Sequence, residues 1–134
     1  MGNNNGDTYF VTLHDVELRT SIGGSDLTNA STPVVASTTL LSQTGFTADK
    51  IVDGSTATNW AANQGFITDQ WVYFDLYAPT LVHEIAIYGN PDFVGRNPKD
   101  ITIQGANDAT SWVTVKSFPG NVDWQLGVYK YFVL

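Results

Sequence analysis

After Trp60, short runs rich in apolar, β-branched and aromatic residues recur between turn residues, and some of them alternate apolar with polar, as in Ile101-Thr-Ile-Gln104. That is the signature of strands whose successive side chains point to opposite faces of a sheet. The pattern predicts strands over Gln70–Leu76, Leu81–Tyr88, Asp100–Gln104, Ser111–Phe118 and Val128–Leu134. Near the start, Tyr9 to Arg19 reads as one further strand, with Phe10, Thr12, His14, Val16 and Leu18 on one face and Tyr9, Val11, Leu13, Asp15 and Glu17 on the other. Ser21 to Thr44 is rich in Ser, Thr and Gly around an apolar break at Pro33-Val-Val-Ala36, which predicts a long surface loop holding one short strand. Thr47 can cap a single helical turn, Ala48 to Val52, that Gly54 terminates. Regular short strands, Gly- or Pro-bearing connections and almost no helix predict an all-β, antiparallel sandwich or jelly roll with one short helical turn.

At 134 residues the chain suits one domain with a real core. No fixed-period repeat or linker divides it, so residues 1–7, opening on Met-Gly-Asn-Asn-Asn-Gly, read as a flexible arm and residues 8–134 as one domain. Thirteen acidic against six basic residues give a net charge of -7, which disfavours nucleic acid and anionic membrane surfaces, since both need clustered cations. Neutral sugars and cations stay open as partners. The absence of cysteine removes disulfides, thiolate metal sites and cysteine nucleophiles. No apolar run approaches the roughly 20 residues that span a bilayer, and the start lacks the basic and apolar regions of a signal peptide, so the chain reads as beginning mature.

Four motifs occur in a telling order. Ile51-Val-Asp-Gly with Thr58-Asn-Trp60 precedes the strand Gln70-Trp-Val-Tyr-Phe-Asp-Leu76, then Lys99-Asp-Ile-Thr-Ile-Gln104, then the hairpin Asn107-Asp-Ala-Thr-Ser-Trp112. Together they resemble the discoidin family, the coagulation-factor C-type and galactose-binding-domain-like carbohydrate modules. The resemblance implies a jelly-roll β-sandwich and a binding module. The family's usual closing strand with an acidic residue is missing from the end; Leu13-His-Asp-Val-Glu-Leu-Arg19 followed by Gly23-Gly24 matches it at the front, as in modules of phage structural proteins. The first strand is then expected in the usual place of the last. Where galactose-binding members place a His after the signature Trp, this chain has Ala61, so the axial hydroxyl of galactose loses that partner.

Asp53, Ser55 and Thr58 offer a carboxylate, hydroxyls and carbonyls within six residues, the oxygen-rich setting that Ca²⁺ prefers. The resemblance implies a structural Ca²⁺ held by the Lys50 carbonyl, the Asp53 carboxylate, the Ser55 carbonyl, Thr58 through carbonyl and hydroxyl, and Asp15 from the front strand. The same residues also suit an Asx-type turn in which Asp53 and Thr58 bond only to protein.

Trp60, Trp71 and Trp112 read as core, because large aromatics fill sandwich interiors, whereas Trp124 in Asn121-Val-Asp-Trp-Gln125 reads as a surface candidate. The loop Gly89–Pro98 gathers Asn90, Asp92, Phe93, Arg96 and Asn97. Amides, a carboxylate, a guanidinium and an aromatic ring make a sugar-reading set, and the competing reading is a solvated turn with Arg96 paired to Asp92. His14 and His83 have no third zinc ligand beside them and read as ordinary strand residues. No Gly-x-Ser-x-Gly and no carboxylate pair for glycoside hydrolysis is identifiable, so the chain reads as not an enzyme. Two functions follow as expectations. One is a noncatalytic carbohydrate-binding module, extracellular or on a virion surface, that takes a glycan partner and could form homo-oligomers. The other is a decorating virion component that contacts virion or parent-assembly proteins without binding sugar.

Overall fold

The computed structural model describes residues 7–42 and 44–134, so residues 1–6 of the expected arm lie outside the described residues. Among the described residues nine strands form, all paired antiparallel: β1 (Thr12–Leu13), β2 (Val16–Arg19), β3 (Val34–Ala36), β4 (Trp60–Ala61), β5 (Val72–Phe74), β6 (Glu84–Tyr88), β7 (Ile101–Gly105), β8 (Val113–Phe118) and β9 (Tyr129–Val133). They assemble as a three-stranded sheet in the order β2-β6-β9 and as the pairs β1-β4, β3-β5 and β7-β8. The strands expected after Trp60 are present with ends shifted by no more than three residues, and the architecture is that of an all-β, antiparallel sandwich. β2 lies against β6, and the last strand, β9, flanks β6 on its other side.

The expected single strand over Tyr9–Arg19 is two strands, and the core explains the break. Val11, Leu13, Val16 and Leu18 are all buried. In one unbroken strand the first two would face opposite to the last two. The chain resolves this conflict at His14-Asp15, which belong to neither strand. β1 then pairs with β4, setting Thr12 against Ala61 and Leu13 against Trp60, while β2 pairs with β6. Around this junction the interior fills with Ile51, Val52, Trp60, Ile85, Ile87, Ile101, Trp124 and Phe132.

The expected helical turn is a 3-10 turn over Ala48–Ile51, and three more form at Leu40–Ser42, Thr44–Phe46 and Val94–Arg96. Thr47 precedes the first of these without a side-chain cap; its hydroxyl bonds instead to the Thr44 carbonyl.

Two tryptophans leave the core to which the sequence reading assigned them. β5 turns Val72 and Phe74 toward the interior, so by strand alternation Trp71 and Tyr73 face outward. Trp71 is 49% exposed and Trp112 39%. Their rings meet through Tyr73, with centroids 5.9 Å and 5.6 Å apart. Trp60 is fully buried, as expected, with its indole N–H donating to the Thr38 carbonyl at 2.8 Å.

These placements set opposite outcomes for two substitutions. Trp60→Ala, which empties an indole-sized cavity, is expected to cost about 3–5 kcal/mol. Trp71→Ala is expected to cost about 1 kcal/mol or less. Urea unfolding of both proteins checks this, and equal losses would refute the assignment.

Candidate ligand-binding site

The loop after β6 is shaped from within. Gly89 opens it at a point where a Cβ would stand only 2.4 Å from the Gln125 carbonyl oxygen, so only glycine fits without backbone movement. Asn90 and Asn97 are buried, the latter 1% exposed. Asn97 Oδ1 accepts the Asn90 amide at 2.8 Å, and its Nδ2 donates to the Val94 carbonyl at 3.1 Å. Asn90 Oδ1 accepts the amides of Asp92 and Phe93 at 2.9 and 2.8 Å, while its Nδ2 donates to the Thr12 hydroxyl at 2.9 Å. The two amides read from the sequence as ligand contacts are therefore committed to holding the loop, as buried polar groups must be.

Asp92, Phe93 and Arg96 remain to face outward, and with Asn90 they line one open concavity. The expected alternative, Arg96 paired to Asp92, does not occur. Arg96 Nε donates to Asp7 Oδ2 at 2.9 Å, and the guanidinium carbon lies 4.0 Å from the Phe93 ring centroid and 4.8 Å from that of Phe10. Asp7 is itself fixed by the Tyr9 and Phe10 amides, which donate to Oδ1 at 2.8 and 3.1 Å. Burial pulls the Asp7 carboxyl upward, but these amides and Arg96 together outweigh it and hold its pKa below the ordinary value.

Several residues that the sequence reading did not assign to ligand complete the concavity: Phe10, Leu40 and Phe46 add apolar surface, and Thr12, His14 and Asn59 add polar groups. One signal was available, since Phe10, Thr12 and His14 alternate along a single strand face. Ala61 also lines the wall, opposite Thr12 in the β1–β4 pairing, and the imidazole nearby comes from His14. His14 Nδ1 lies 3.1 Å from the Thr56 carbonyl oxygen, so this nitrogen carries the proton. Burial pushes the His14 pKa down against the opposing pull of the Thr56 carbonyl and Asp92, which favours the neutral ring.

Trp124, expected at the surface, is buried at 6% exposure, with its indole N–H donating to the Pro98 carbonyl at 2.9 Å. It lies outside the lining of the concavity, as does Asn97.

The oxygen-rich loop converges on one hydroxyl. Thr58 Oγ1 lies 2.9 Å from both carboxylate oxygens of Asp53, 3.1 Å from the Ser55 carbonyl and 3.4 Å from the Lys50 carbonyl. A hydroxyl has one proton to give, so the cluster holds more acceptors than its donor can satisfy, a composition that fits a hard cation. The Asx turn forms as well, with the Ser55 amide donating to Asp53 Oδ1 at 3.0 Å. Asp15 is buried and accepts the Tyr129 hydroxyl on Oδ2. Burial raises the Asp15 pKa, and the charges of Glu17, Asp26 and Asp53 raise it further. No group of three or more His, Cys, Asp or Glu side chains comes together among the described residues, so carbonyl and hydroxyl oxygens would dominate any ion site here.

Among protein-family models, the F5/8 type C domain matches residues 29–132. No curated protein and no solved structure matches the chain.

The division between shaping and reading residues is testable by stability alone. Asn97→Ala leaves the buried Asn90 amide without its acceptor, while the Val94 carbonyl keeps the backbone amide of residue 97, and is expected to cost about 1–3 kcal/mol. Asp92→Ala is expected to change stability by no more than about 0.5 kcal/mol. Chemical denaturation checks both, and an Asn97→Ala protein as stable as the parent would contradict this account of the loop.

Proposed function

We propose that this chain, which belongs to the F5/8 type C domain family, is a noncatalytic carbohydrate-binding module that attaches its parent assembly to cell-surface or extracellular glycans. Domains of this family are generally noncatalytic binding modules. One observation carries the narrower reading: Arg96, Asp92 and the Phe93 face converge with Thr12, His14 and Asn59 on one open concavity. Apolar ring surface beside a few fixed polar groups is what a sugar requires, since its C–H face packs on aromatics while its hydroxyls pair with forked donors and acceptors. Monovalent affinity is expected to be weak, because sugar hydroxyls exchange water bonds for protein bonds at small net gain, and copies in an oligomer would raise it by avidity.

The oxygen cluster supports a structural Ca²⁺ beside this site, held by the Lys50 and Ser55 carbonyls, the Asp53 carboxylate and Thr58, with Asp15 contributing from the front strand. The ion's contribution would be to neutralise crowded oxygens and tie the loop to that strand.

A second reading has its own observation. Trp71 and Trp112 are exposed and are connected through the half-buried Tyr73 ring, and Val113 and Val115 follow at 69% and 56% exposure. Exposed apolar patches favour protein contact, which suits a decorating component of a virion or other assembly. Location outside the cell or on a virion surface belongs to the proposal. No helix of the described residues is long and apolar enough to cross a membrane.

Two measurements test the main reading. On a glycan array the protein is expected to give saturable signals, and Arg96→Ala and Phe93→Ala each to weaken them, with the loss of the charged hydrogen-bonding group costing about 1.5–3 kcal/mol. A silent array would favour the protein-contact reading, and unchanged affinity in both variants would remove this loop from the site. Separately, calcium at about a hundredfold excess over its dissociation constant is expected to add about 2.7 kcal/mol of stability, a gain that Asp53→Ala abolishes. Identical melting temperatures in calcium and in chelator would dismiss the ion.

A further inference from the structure

We infer that Asp7 and Asp92 set the specificity of this concavity by flanking Arg96 with two carboxylates, so that it reads the hydroxyls of an uncharged sugar and disfavours an acidic one. The inference rests on the carbohydrate reading above and narrows it.

Among the described residues, Arg96 is the only Lys or Arg that lines the concavity. An arginine in such a place ordinarily invites a carboxylate, because its planar fork matches two oxygens at once. Here its charge is already answered. Nε is taken by Asp7, and the ring faces of Phe93 and Phe10 cover the guanidinium at 4.0 and 4.8 Å. The terminal Nη groups have no protein acceptor beyond this among the described residues. They remain as oriented donors whose positive field is largely cancelled.

Asp92 supplies the second negative charge. Its side chain lines the concavity and makes no hydrogen bond or ion pair among the described residues. His14 faces the same space with its Nδ1 proton committed to the Thr56 carbonyl. Asp92 in the lining and Asp7, paired to Arg96 from outside the lining, set two carboxylates against one guanidinium within a chain that already carries -7. An entering carboxylate meets that field at short range. A sugar hydroxyl does not, and it can accept from an Arg96 Nη while donating to Asp92, which a carboxylate cannot do.

Asp7 also lies outside residues 29–132, the stretch that the family model matches. The charge setting is thus written into the segment that leads into β1.

The test pairs each neutral sugar with its acid. Methyl glycosides of glucose, galactose and mannose, and their C6 uronates, are titrated into the parent, Asp7→Asn and Asp92→Asn proteins, with Asp123→Asn as a charge-matched control outside the concavity. The parent is expected to prefer the neutral members. Each of the first two variants is expected to move the neutral-to-uronate ratio toward the uronate by about three- to tenfold, an effect that shrinks with added salt, while the control leaves it unchanged. A parent that prefers uronates, or a ratio unmoved in both variants, overturns the inference and leaves the carbohydrate reading standing. Binding of no member by the parent overturns both. Should Asp7→Asn fail to fold, Asp92→Asn, whose side chain holds nothing in place, decides the matter alone.

Discussion

Everything about the site depends on a conflict of parity in the first fifteen residues of described chain. Val11 and Leu13 must face the interior, and so must Val16 and Leu18, yet a period of two cannot deliver both pairs from one continuous strand. The break at His14-Asp15 resolves it and creates two opportunities. His14 remains with Phe10 and Thr12 on the wall of the concavity, while Asp15 turns to the Tyr129 hydroxyl within range of the Asp53 charge. A strand that buried its residues without interruption would have supplied one of these, not both.

The loop after β6 shows how polar residues divide their labour. Asn90 and Asn97 have four-way hydrogen-bonding capacity and spend it on the loop itself and on Thr12. Arg96 and Asp92 keep groups that the protein does not satisfy. A buried amide without a partner costs free energy, whereas an exposed guanidinium or carboxylate has water until a ligand arrives. Which of several polar residues in a loop read a ligand is therefore decided by burial, a property that loop composition does not encode.

The fold was legible because it rests on signals the chain carries locally. Short apolar runs between turn residues marked the strands, and the order of four motifs marked the family. The misplacements have particular causes. β5 reads Trp71-Val-Tyr-Phe74, apolar on both faces, so the run located the strand without saying which face turned inward. Trp124 lies in a segment with no periodicity, and its burial follows from a contact with the Pro98 carbonyl, 26 residues away in sequence. The Arg96–Asp7 pair spans 89 residues, beyond any local reading, while Asp92 was the sequence neighbour that drew attention. Ala109 is a subtler case: in the Asn107–Trp112 turn it adopts φ of +56°, a left-handed conformation that its Cβ disfavours and that residue type alone does not announce.

His14 joins the oxygen-rich loop to the concavity, and this link orders the remaining parts. Its Nδ1 proton is held by the carbonyl of Thr56, two residues from the hydroxyl on which the Lys50, Asp53 and Ser55 oxygens converge. Its ring is part of the wall that a ligand would meet. The position of the imidazole is thus set by the backbone of the Lys50–Thr58 loop, and the neutral tautomer by the carbonyl that accepts from it. Any interaction that rigidifies that loop also rigidifies one side of the concavity and removes part of the ordering cost of binding. Rigidity at the opposite side comes from Asp7 and the two phenylalanine rings around Arg96. The segment around β1 supplies His14 to one of these supports and Asp7 and Phe10 to the other, so residues outside the family match hold in place a site whose other residues lie within it.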